Sequence, residues 1–315
     1  MALKKAKRQK IKIPVLLTGP SGSGKTLSAL MMAKGIVEKM YPDMSEVDQW
    51  EKIAIIDSEH ERSLLYADNT IADTKIGEFL HYDLKAPFSV ERYEQAFKEC
   101  KEAGVEVIIT DSISHAWSGL GGILDAQQEA GGRFQDWRKV KPLEENFLKM
   151  LVESGVHTIS TARTKQDYAM QPNELGKVEV VKLGLKVEQK DSLEYEFAVV
   201  LRLDMNNVAT ASKDNSNLFK EPFRITKETG HELYDWAEAG IDKAEQEEKE
   251  RQSLLDDLRE LIHGDEARQS YLKELETKAD KSYEEFPKNL LEKAIKLVKE
   301  YTAPVTPQET DAFNN

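Results

Sequence analysis

The chain has 315 residues, of which 40% are hydrophobic, and its formal net charge is −13. No apolar run approaches the ~20 residues that a membrane-spanning helix needs, and the single cysteine, Cys100, cannot form a disulfide framework, so we expect a cytoplasmic protein without a membrane partner. The negative charge argues against a protein that coats duplex DNA through bulk electrostatics, and the scattered histidines have no zinc-like spacing.

The chain divides into four segments by composition. Residues 1–12 form a basic arm, and residues 13–240 alternate short apolar runs with helical stretches. That alternation is typical of an α/β fold with a mostly parallel central sheet flanked by helices. The pattern of residues 241–301 predicts a small helical appendage. This part of the sequence is acidic, with 19 acidic and 12 basic residues from Ile241 to the end. Residues 302–315 carry two prolines and little hydrophobicity, so we expect a disordered tail.

A phosphate-binding loop follows the first predicted strand. The segment fits the pattern G-x-x-x-x-G-K-[ST] and leads into a predicted helix. The residues here that we expect to bind the nucleotide are Gly19, Pro20, Ser21, Gly22, Ser23, Gly24, Lys25, Thr26 and Leu27. Backbone N–H groups of such a loop and the following helix N-terminus point at phosphate oxygens. We expect Lys25 to reach the outer phosphates and the Thr26 hydroxyl to ligate Mg²⁺. A glycine-rich turn that fits by chance is the alternative, and the flanking strand and helix argue against it.

Two further apolar strands end in carboxylates. One strand ends at Asp57 and delivers Glu59 two residues later, and the other ends at Asp111. Asp111 can hold Mg²⁺ from the neighbouring strand, and Glu59 can orient or deprotonate the water that attacks the γ-phosphate. Two structural alternatives stay open: Asp111 as an ordinary strand end, and Glu59 as a cap of the next helix together with Ser58.

In their order and spacing these motifs resemble bacterial RecA recombinases over about residues 13–235. The stretches that carry the resemblance are Gly19-Pro20, Asp57-Ser58-Glu59-His60 with Tyr66, Val107 to Ser112, Arg202-Leu203-Asp204, and Ser212-Lys213-Asp214-Asn215 with Phe219. The resemblance implies a RecA-like P-loop NTPase fold and an ATPase that uses ATP and Mg²⁺. It implies that Glu59 and Lys25 are catalytic and that Tyr66 stacks on adenine. It also implies that Lys213 reaches the nucleotide of a neighbouring subunit and that Arg163 links nucleotide to DNA.

The size of the chain looks closest to phage-encoded single-domain RecA-like ATPases that accompany single-strand annealing and recombination genes. That resemblance implies a bacterial host cell and a homo-oligomer. Whether the oligomer is a ring or a filament stays open, because the residues before Ile13 lack a counterpart of the RecA polymerisation helix. Asn215 stands where RecA has its second trans-acting lysine. The acidic C-terminal helices are a candidate docking site for a recombination or replication protein.

DNA contact in RecA comes from two mobile loops, which the resemblance places at about residues 119–141 and 164–189. The residues that we expect to contact single-stranded DNA are Arg133, Trp137, Arg138, Lys165 and Gln166. Cations offset phosphate charge, and aromatic rings offer a face to unpaired bases. Two alternatives stay open: Phe134 and Trp137 as core residues of a helix, and the second segment as a surface hairpin.

Three functions are compatible with these patterns. The first is an ATPase that binds single-stranded DNA and assists phage-type recombination, annealing or strand handling, with hydrolysis stimulated by DNA. The second is a DNA-annealing module in which nucleotide acts only as an assembly switch. The third is a nucleotide-gated protein-interaction factor that acts on a helicase, nuclease or host protein through the C-terminal helices. Glu59 favours the first function over the second.

Overall fold

The computed structural model of the protein describes residues 5–71, 74–172, 178–190 and 192–301. The chain divides into two compact units. One unit is Ile11–Ala239, and the described part of the other consists of residues 5–10 and 240–301. The predicted tail at residues 302–315 lies outside the described residues. None of the helices in the described ranges combines the length and the apolar character that crossing a membrane requires.

The larger unit is built on a central sheet. Its described strands are Pro14–Gly19 (β1), Ile53–Asp57 (β2), Asn69–Ile71 (β3), Thr74–Ile76 (β4), Leu80–Asp83 (β5), Val107–Asp111 (β6), His157–Pro172 (β7), Val178–Val187 (β8), Val199–Leu203 (β9) and Ala209–Asp214 (β10). Across the sheet the strand order is β10-β9-β1-β7-β6-β2-β5, while β3 and β4 form a separate pair. The pairs from β9 to β5 are parallel, and β10 runs antiparallel to β9. This arrangement confirms the predicted α/β fold with a mostly parallel sheet.

Helices cover both faces of this sheet. The described helices of the larger unit are Lys25–Met40 (α1), Glu46–Trp50 (α2), Val90–Glu102 (α3), Ser114–Ser118 (α4), Ile123–Glu129 (α5), Trp137–Val152 (α6) and Lys227–Glu238 (α7). Successive side chains of a strand point to opposite faces, so Leu16 packs in one hydrophobic cluster while Val15 and Leu17 pack in the other. Burial on both faces explains why the strands read as unbroken apolar runs in the sequence.

The register of the parallel strands brings three of the predicted site residues, and Asp57, to one edge. Gly19 at the end of β1 lies opposite Arg163 on β7, and Asp57 at the end of β2 lies opposite Asp111 on β6. Because the carboxyl ends of parallel strands meet at the same edge of a sheet, ligands of such folds bind there.

Most of the described residues in the two predicted mobile loops lie in helices or strands. The segment at 119–141 contains α5, a short 3-10 turn at Phe134–Asp136 and the start of α6. The end of this segment is helical because α6 buries one face: Val140, Phe147 and Leu151 recur at helical spacing and are buried. The segment at 164–189 is largely a hairpin, because β7 and β8 pair antiparallel. The structure therefore corrects the expectation of loops and agrees with the alternative of a surface hairpin for the second segment.

The smaller unit is helical. It contains Lys243–Ile262 (α8), Glu266–Ala279 (α9) and Lys288–Glu300 (α10). These helices bury a cluster of their own that includes Leu258, Phe286 and Val298. The chain next to α8 pairs with the N-terminal segment, because Ile241 forms a parallel bridge with Gln9.

Candidate functional site

The phosphate-binding loop lies between the end of β1 and the start of α1. Gly24 precedes α1 in the left-handed region, with φ of 79°, a conformation that glycine adopts without strain. A Cβ atom on Gly19 would stand 2.6 Å from the Leu203 carbonyl oxygen, and one on Gly24 would stand 3.0 Å from Asn207 Oδ1. Both positions therefore require glycine, because the turn between β9 and β10 passes directly over the loop.

Lys25 places its ammonium group inside the curve of this loop. Its Nζ donates to the carbonyl oxygens of Gly19, at 2.9 Å, and Pro20, at 2.8 Å. Burial lowers the pKa of Lys25, and the negative charges of Asp111 and Glu59 oppose that shift only in part. A triphosphate bound in the loop would add anionic partners for this buried cation, which is the role that the motif assigns to the lysine.

Thr26 and Asp111 form the part of the site that could hold Mg²⁺. The Thr26 hydroxyl donates to Asp111 Oδ2 and the Thr161 hydroxyl donates to Asp111 Oδ1, both at 2.5 Å. Burial raises the pKa of Asp111, because hydroxyl donors only partly compensate a charge removed from water. A cation beside this carboxylate would supply that compensation, and Mg²⁺ prefers oxygen ligands of this kind. In the described ranges, this site included, no three His, Cys, Asp or Glu residues gather in a way that could hold a metal.

Glu59 lies deep in the site, and both its oxygens are engaged. Oε1 accepts from the Ser112 hydroxyl at 2.8 Å and from Arg163 Nε at 2.6 Å, and Oε2 is paired with Arg163 Nη2. Burial by itself raises the pKa of Glu59, but the hydrogen bonds from Arg163 and Ser112 outweigh it and hold the pKa below its ordinary value. The short turn that follows is capped at Glu61, without a side-chain bond. Glu59 is thus an ionised carboxylate in the site, and the described hydrogen bonds do not make it a helix cap.

Asp57 plays a structural part at the same edge. Its carboxylate accepts from the Glu59 backbone N–H at 2.7 Å, from the Ser63 backbone N–H at 2.9 Å and from the Ser63 hydroxyl at 2.5 Å. Burial opposes the charge, but the His81 ring, with Nε2 3.6 Å from Oδ2, and the hydrogen bonds from Ser63 lower the pKa of Asp57 to about 2. These bonds hold the segment that carries Glu59, so Asp57 orients the candidate base and does not compete with it.

A cavity of about 800 Å³ joins these groups, a size typical of small-molecule sites. Its lining residues are Ser21, Gly22, Gly24, Lys25, Thr26, Leu27, Ser28, Met31, Glu59, Arg62, Leu65, Tyr66, Ile71, Thr74, Asp111, Arg163, Asn207, Arg224, Ile225 and Thr226. The lining includes the half-buried Tyr66 together with the apolar side chains of Leu65, Ile71 and Ile225. Sequence reasoning missed Arg62, Asn207 and Arg224, since three separate segments bring them to the cavity and no local motif marks them.

The first prediction concerns Tyr66, which we expect to stack on the base of a bound nucleotide. Tyr66→Ala should weaken ATP binding by about 1 kcal/mol, because an aromatic stacking contact is worth roughly that much. Tyr66→Phe keeps the ring and should retain wild-type affinity. Calorimetric titration of ATP and GTP into both variants measures affinity and base preference. A selective loss of maximal rate with intact affinity would count against base stacking.

A second cavity, of about 910 Å³, forms a groove on the same unit. It is lined by Trp117, Ser118, Leu124, Phe134, Trp137, Arg138, Lys141, Glu144, Lys165, Lys186, Val187, Glu188, Gln189, Lys190 and Ser192. The indole rings of Trp117 and Trp137 stack with centroids 5.8 Å apart and 17° between their planes. The ring of Phe134 is 92% exposed, so it is not a core residue. We call this feature the aromatic groove.

Three of the five predicted DNA-contacting residues line the aromatic groove: Trp137, Arg138 and Lys165. Arg133 is exposed but is not among the lining residues. Gln166 follows Lys165 on β7, where its backbone pairs with Leu185. Trp117 was missed, because it precedes the segment that the resemblance had marked, and only its stacking on Trp137 places it here.

Lys213 lies apart from the nucleotide cavity of its own chain. It is on β10, and its ammonium group donates to the Tyr195 carbonyl oxygen. The expected role of Lys213 concerns the nucleotide of a neighbouring subunit, so this contact within one chain stays compatible with it.

The comparison with protein families agrees with the motif analysis at the level of the domain. Residues 11–235 match a family model described as an AAA domain. A search of curated proteins finds no match. Among solved structures, the chain is similar to a KaiC-like protein from the hyperthermophilic archaeon Pyrococcus horikoshii OT3. The two are 18% identical, the likeness covers 71% of this chain and 97% of that chain, and the TM-score is 0.36.

Proposed function

We propose that this chain, which belongs to the AAA domain family, binds single-stranded DNA and couples that binding to hydrolysis of Mg²⁺-bound ATP. The family makes the protein a P-loop ATPase. The DNA strand, the Mg²⁺ ion and the part played in phage-type recombination, annealing or strand handling are the proposed additions.

The nucleotide cavity contains the groups that phosphoanhydride hydrolysis requires. Lys25 binds the outer phosphates, and Thr26 with Asp111 would hold Mg²⁺, which neutralises charge on the phosphate oxygens when it is bound. Glu59 accepts the proton of the attacking water, for which at least one carboxylate oxygen must be free. Both oxygens are engaged, so Arg163 must release one of them before reaction. The γ-phosphate offers Arg163 competing anionic oxygens in the same cavity.

The observation that carries the DNA proposal is the charge of the aromatic groove. Its lining holds five cations, Arg138, Lys141, Lys165, Lys186 and Lys190, against two carboxylates, Glu144 and Glu188, a balance of +3. The whole chain, by contrast, carries −13. A local cationic groove on an acidic protein suits a polyanion, and the exposed ring of Phe134 beside the partly buried, stacked tryptophans suits unpaired bases. Duplex DNA hides its base faces, so this combination favours single strands.

The second prediction tests this groove with fluorescence anisotropy. The wild type should bind an unstructured oligonucleotide more tightly than a duplex, in an ATP-dependent manner, and affinity should fall steeply with salt. The double variant Arg138→Glu/Lys165→Glu should lower the slope of log affinity against log salt by roughly 1.4, because about 0.7 is lost for each phosphate contact with a single strand. Lys98→Glu is the matched control, a surface lysine outside the groove lining, and should behave as wild type.

Absence of oligonucleotide binding by the wild type, with and without ATP, would contradict the DNA proposal. The ATPase would then be better explained as a nucleotide-gated factor that acts on another protein through α8, α9 and α10, which have a hydrophobic core of their own. Equal slopes for the double variant and for the wild type would instead show that the strand binds elsewhere.

Two parts of the proposal rest on the sequence resemblance. One is self-association, with Lys213 of each subunit reaching the nucleotide of a neighbour. The other is a recombination or replication protein as the partner of the acidic C-terminal helices. Sedimentation of the ATP-bound protein tests the first part, because a species that stays monomeric at all concentrations would leave Lys213 without a neighbouring nucleotide.

A further inference from the structure

Helix α4 lies between the candidate base and the aromatic groove. At one point of this short helix, His115 Nδ1 is 2.8 Å from the Ser58 hydroxyl oxygen, one residue before Glu59. Two residues further along the helix, Trp117 lines the groove and stacks on Trp137. The same five-residue element therefore contacts both sites.

The Ser58 hydroxyl connects His115 to the residue that holds Glu59. It donates to the Ser112 carbonyl oxygen at 3.1 Å and accepts from the Ser112 backbone N–H at 3.0 Å. A hydroxyl has one donor and two acceptor positions, so His115 completes the set if its Nδ1 carries the proton. Ser112 in turn donates its own hydroxyl to Glu59 Oε1 at 2.8 Å. Ser58 and Ser112 are buried, which makes each of these bonds costly to lose.

The start of α4 is also hydrogen-bonded to the strand that carries Arg163 and to Gln189, a lining residue of the aromatic groove. The Arg163 backbone N–H donates to the Ser114 hydroxyl at 3.0 Å, and Gln189 Nε2 donates to the Ile113 carbonyl oxygen at 2.6 Å. Arg163 is the ion-pair partner of Glu59, and Gln189 lines the aromatic groove. A displacement of α4 would thus reach Glu59 both through the serines and through its arginine partner.

We propose that His115 is a positioning residue for Glu59 and that α4 transmits binding of a strand in the aromatic groove to the nucleotide site. The positioning of Glu59 by His115 concerns only the ATPase reaction. The transmission through α4 rests on the proposed function. Occupation of the groove presses on Trp117 and Trp137 and so shifts α4. The Ser58 contact of His115 then changes the placement of Ser112 and Glu59. No part of the transmission requires His115 to touch the nucleotide.

The third prediction uses three variants of His115. They distinguish the contribution of the ring from that of each ring nitrogen. His115→Phe keeps the ring that stacks on Phe88, with centroids 4.7 Å apart, but removes the bond to Ser58. His115→Asn keeps a polar atom near the Nδ1 position, and His115→Gln keeps one near the Nε2 position only. His263→Phe, on an exposed histidine of the smaller unit, controls for the substitution itself. Thermal melting confirms that each variant folds.

Steady-state ATP hydrolysis measured without DNA tests whether His115 positions Glu59. His115→Phe and His115→Gln should lower kcat by about three- to tenfold with KM for ATP unchanged, the range expected for one hydrogen bond. His115→Asn should restore kcat, and His263→Phe should leave it at the wild-type value. Wild-type kcat in His115→Gln would overturn the positioning role, and His115→Gln keeps the test valid even where His115→Phe fails to fold.

The same assay with a saturating unstructured oligonucleotide tests whether α4 transmits strand binding to the nucleotide site. The ratio of kcat with and without the strand should fall towards one in His115→Phe and His115→Gln, while strand affinity by anisotropy stays within about twofold of wild type. An unchanged ratio would overturn transmission through α4. If the wild type binds no strand, transmission and the proposed function fail together, and the measurement without DNA still decides whether His115 positions Glu59.

Discussion

Replacing Lys25 with alanine is expected to abolish ATP binding. The ammonium group lies within hydrogen-bond distance of two loop carbonyls, at the point where the outer phosphates would bind. The backbone cradle cannot by itself replace this point charge, and losing the charge-assisted contacts that Lys25 would make with the outer phosphates should weaken affinity by at least about 100-fold. Calorimetric titration of ATP measures the effect.

The matched control for this experiment is Lys39→Ala. Lys39 lies in the last turn of the same helix and forms a surface ion pair with Asp235, at 2.9 Å. Such pairs contribute little, so the control should bind ATP as the wild type does. An ATP affinity of Lys25→Ala close to that of the wild type would contradict the assignment of the phosphate-binding loop.

Replacing Glu59 with glutamine should leave ATP binding in place while turnover falls by ~10²-fold or more. Glutamine keeps the volume and can still accept a hydrogen bond from Ser112, but it removes the carboxylate that takes the proton of the attacking water. The variant also removes the charge that holds Arg163. Phosphate release under saturating ATP measures turnover, and calorimetry measures binding.

Glu61→Gln provides the comparison for this second change. Glu61 lies two residues away, is half exposed and contacts Lys85 at the surface, so its loss should leave turnover unchanged. Turnover near the wild-type value in Glu59→Gln would mean that another residue handles the water.

The nucleotide site was the part of the function that sequence patterns could predict. The phosphate loop is contiguous, and its glycines, Lys25 and Thr26 act through local backbone geometry, so eight adjacent residues contain most of the information. Asp111 and Glu59 were also marked locally, because each follows an apolar run that predicts a buried strand. Parallel pairing then brings them together, since the carboxyl ends of β2 and β6 meet at one edge.

The partners of those residues could not be predicted in the same way. Arg163 was assigned to a link between nucleotide and DNA, but its ion pair with Glu59 joins residues 104 positions apart in the chain. The segments expected to be mobile loops are instead helical and hairpin structures. Glycines and lysines marked those segments as flexible. In the first segment the buried spacing of Val140, Phe147 and Leu151 along α6 outweighed that local signal, and in the second the pairing of β7 with β8 did so.

The sequence by itself therefore determined the class of the protein, an α/β P-loop ATPase, because periodic burial and a contiguous phosphate loop are local properties of the chain. Only the tertiary structure decided which side chains share a cavity. The aromatic groove combines Trp117 with residues from α6, β7 and the end of β8, and its local balance of +3 is hidden within a chain of −13. Stacking, ion pairing and charge balance depend on distances in space, and packing of the elements sets those distances.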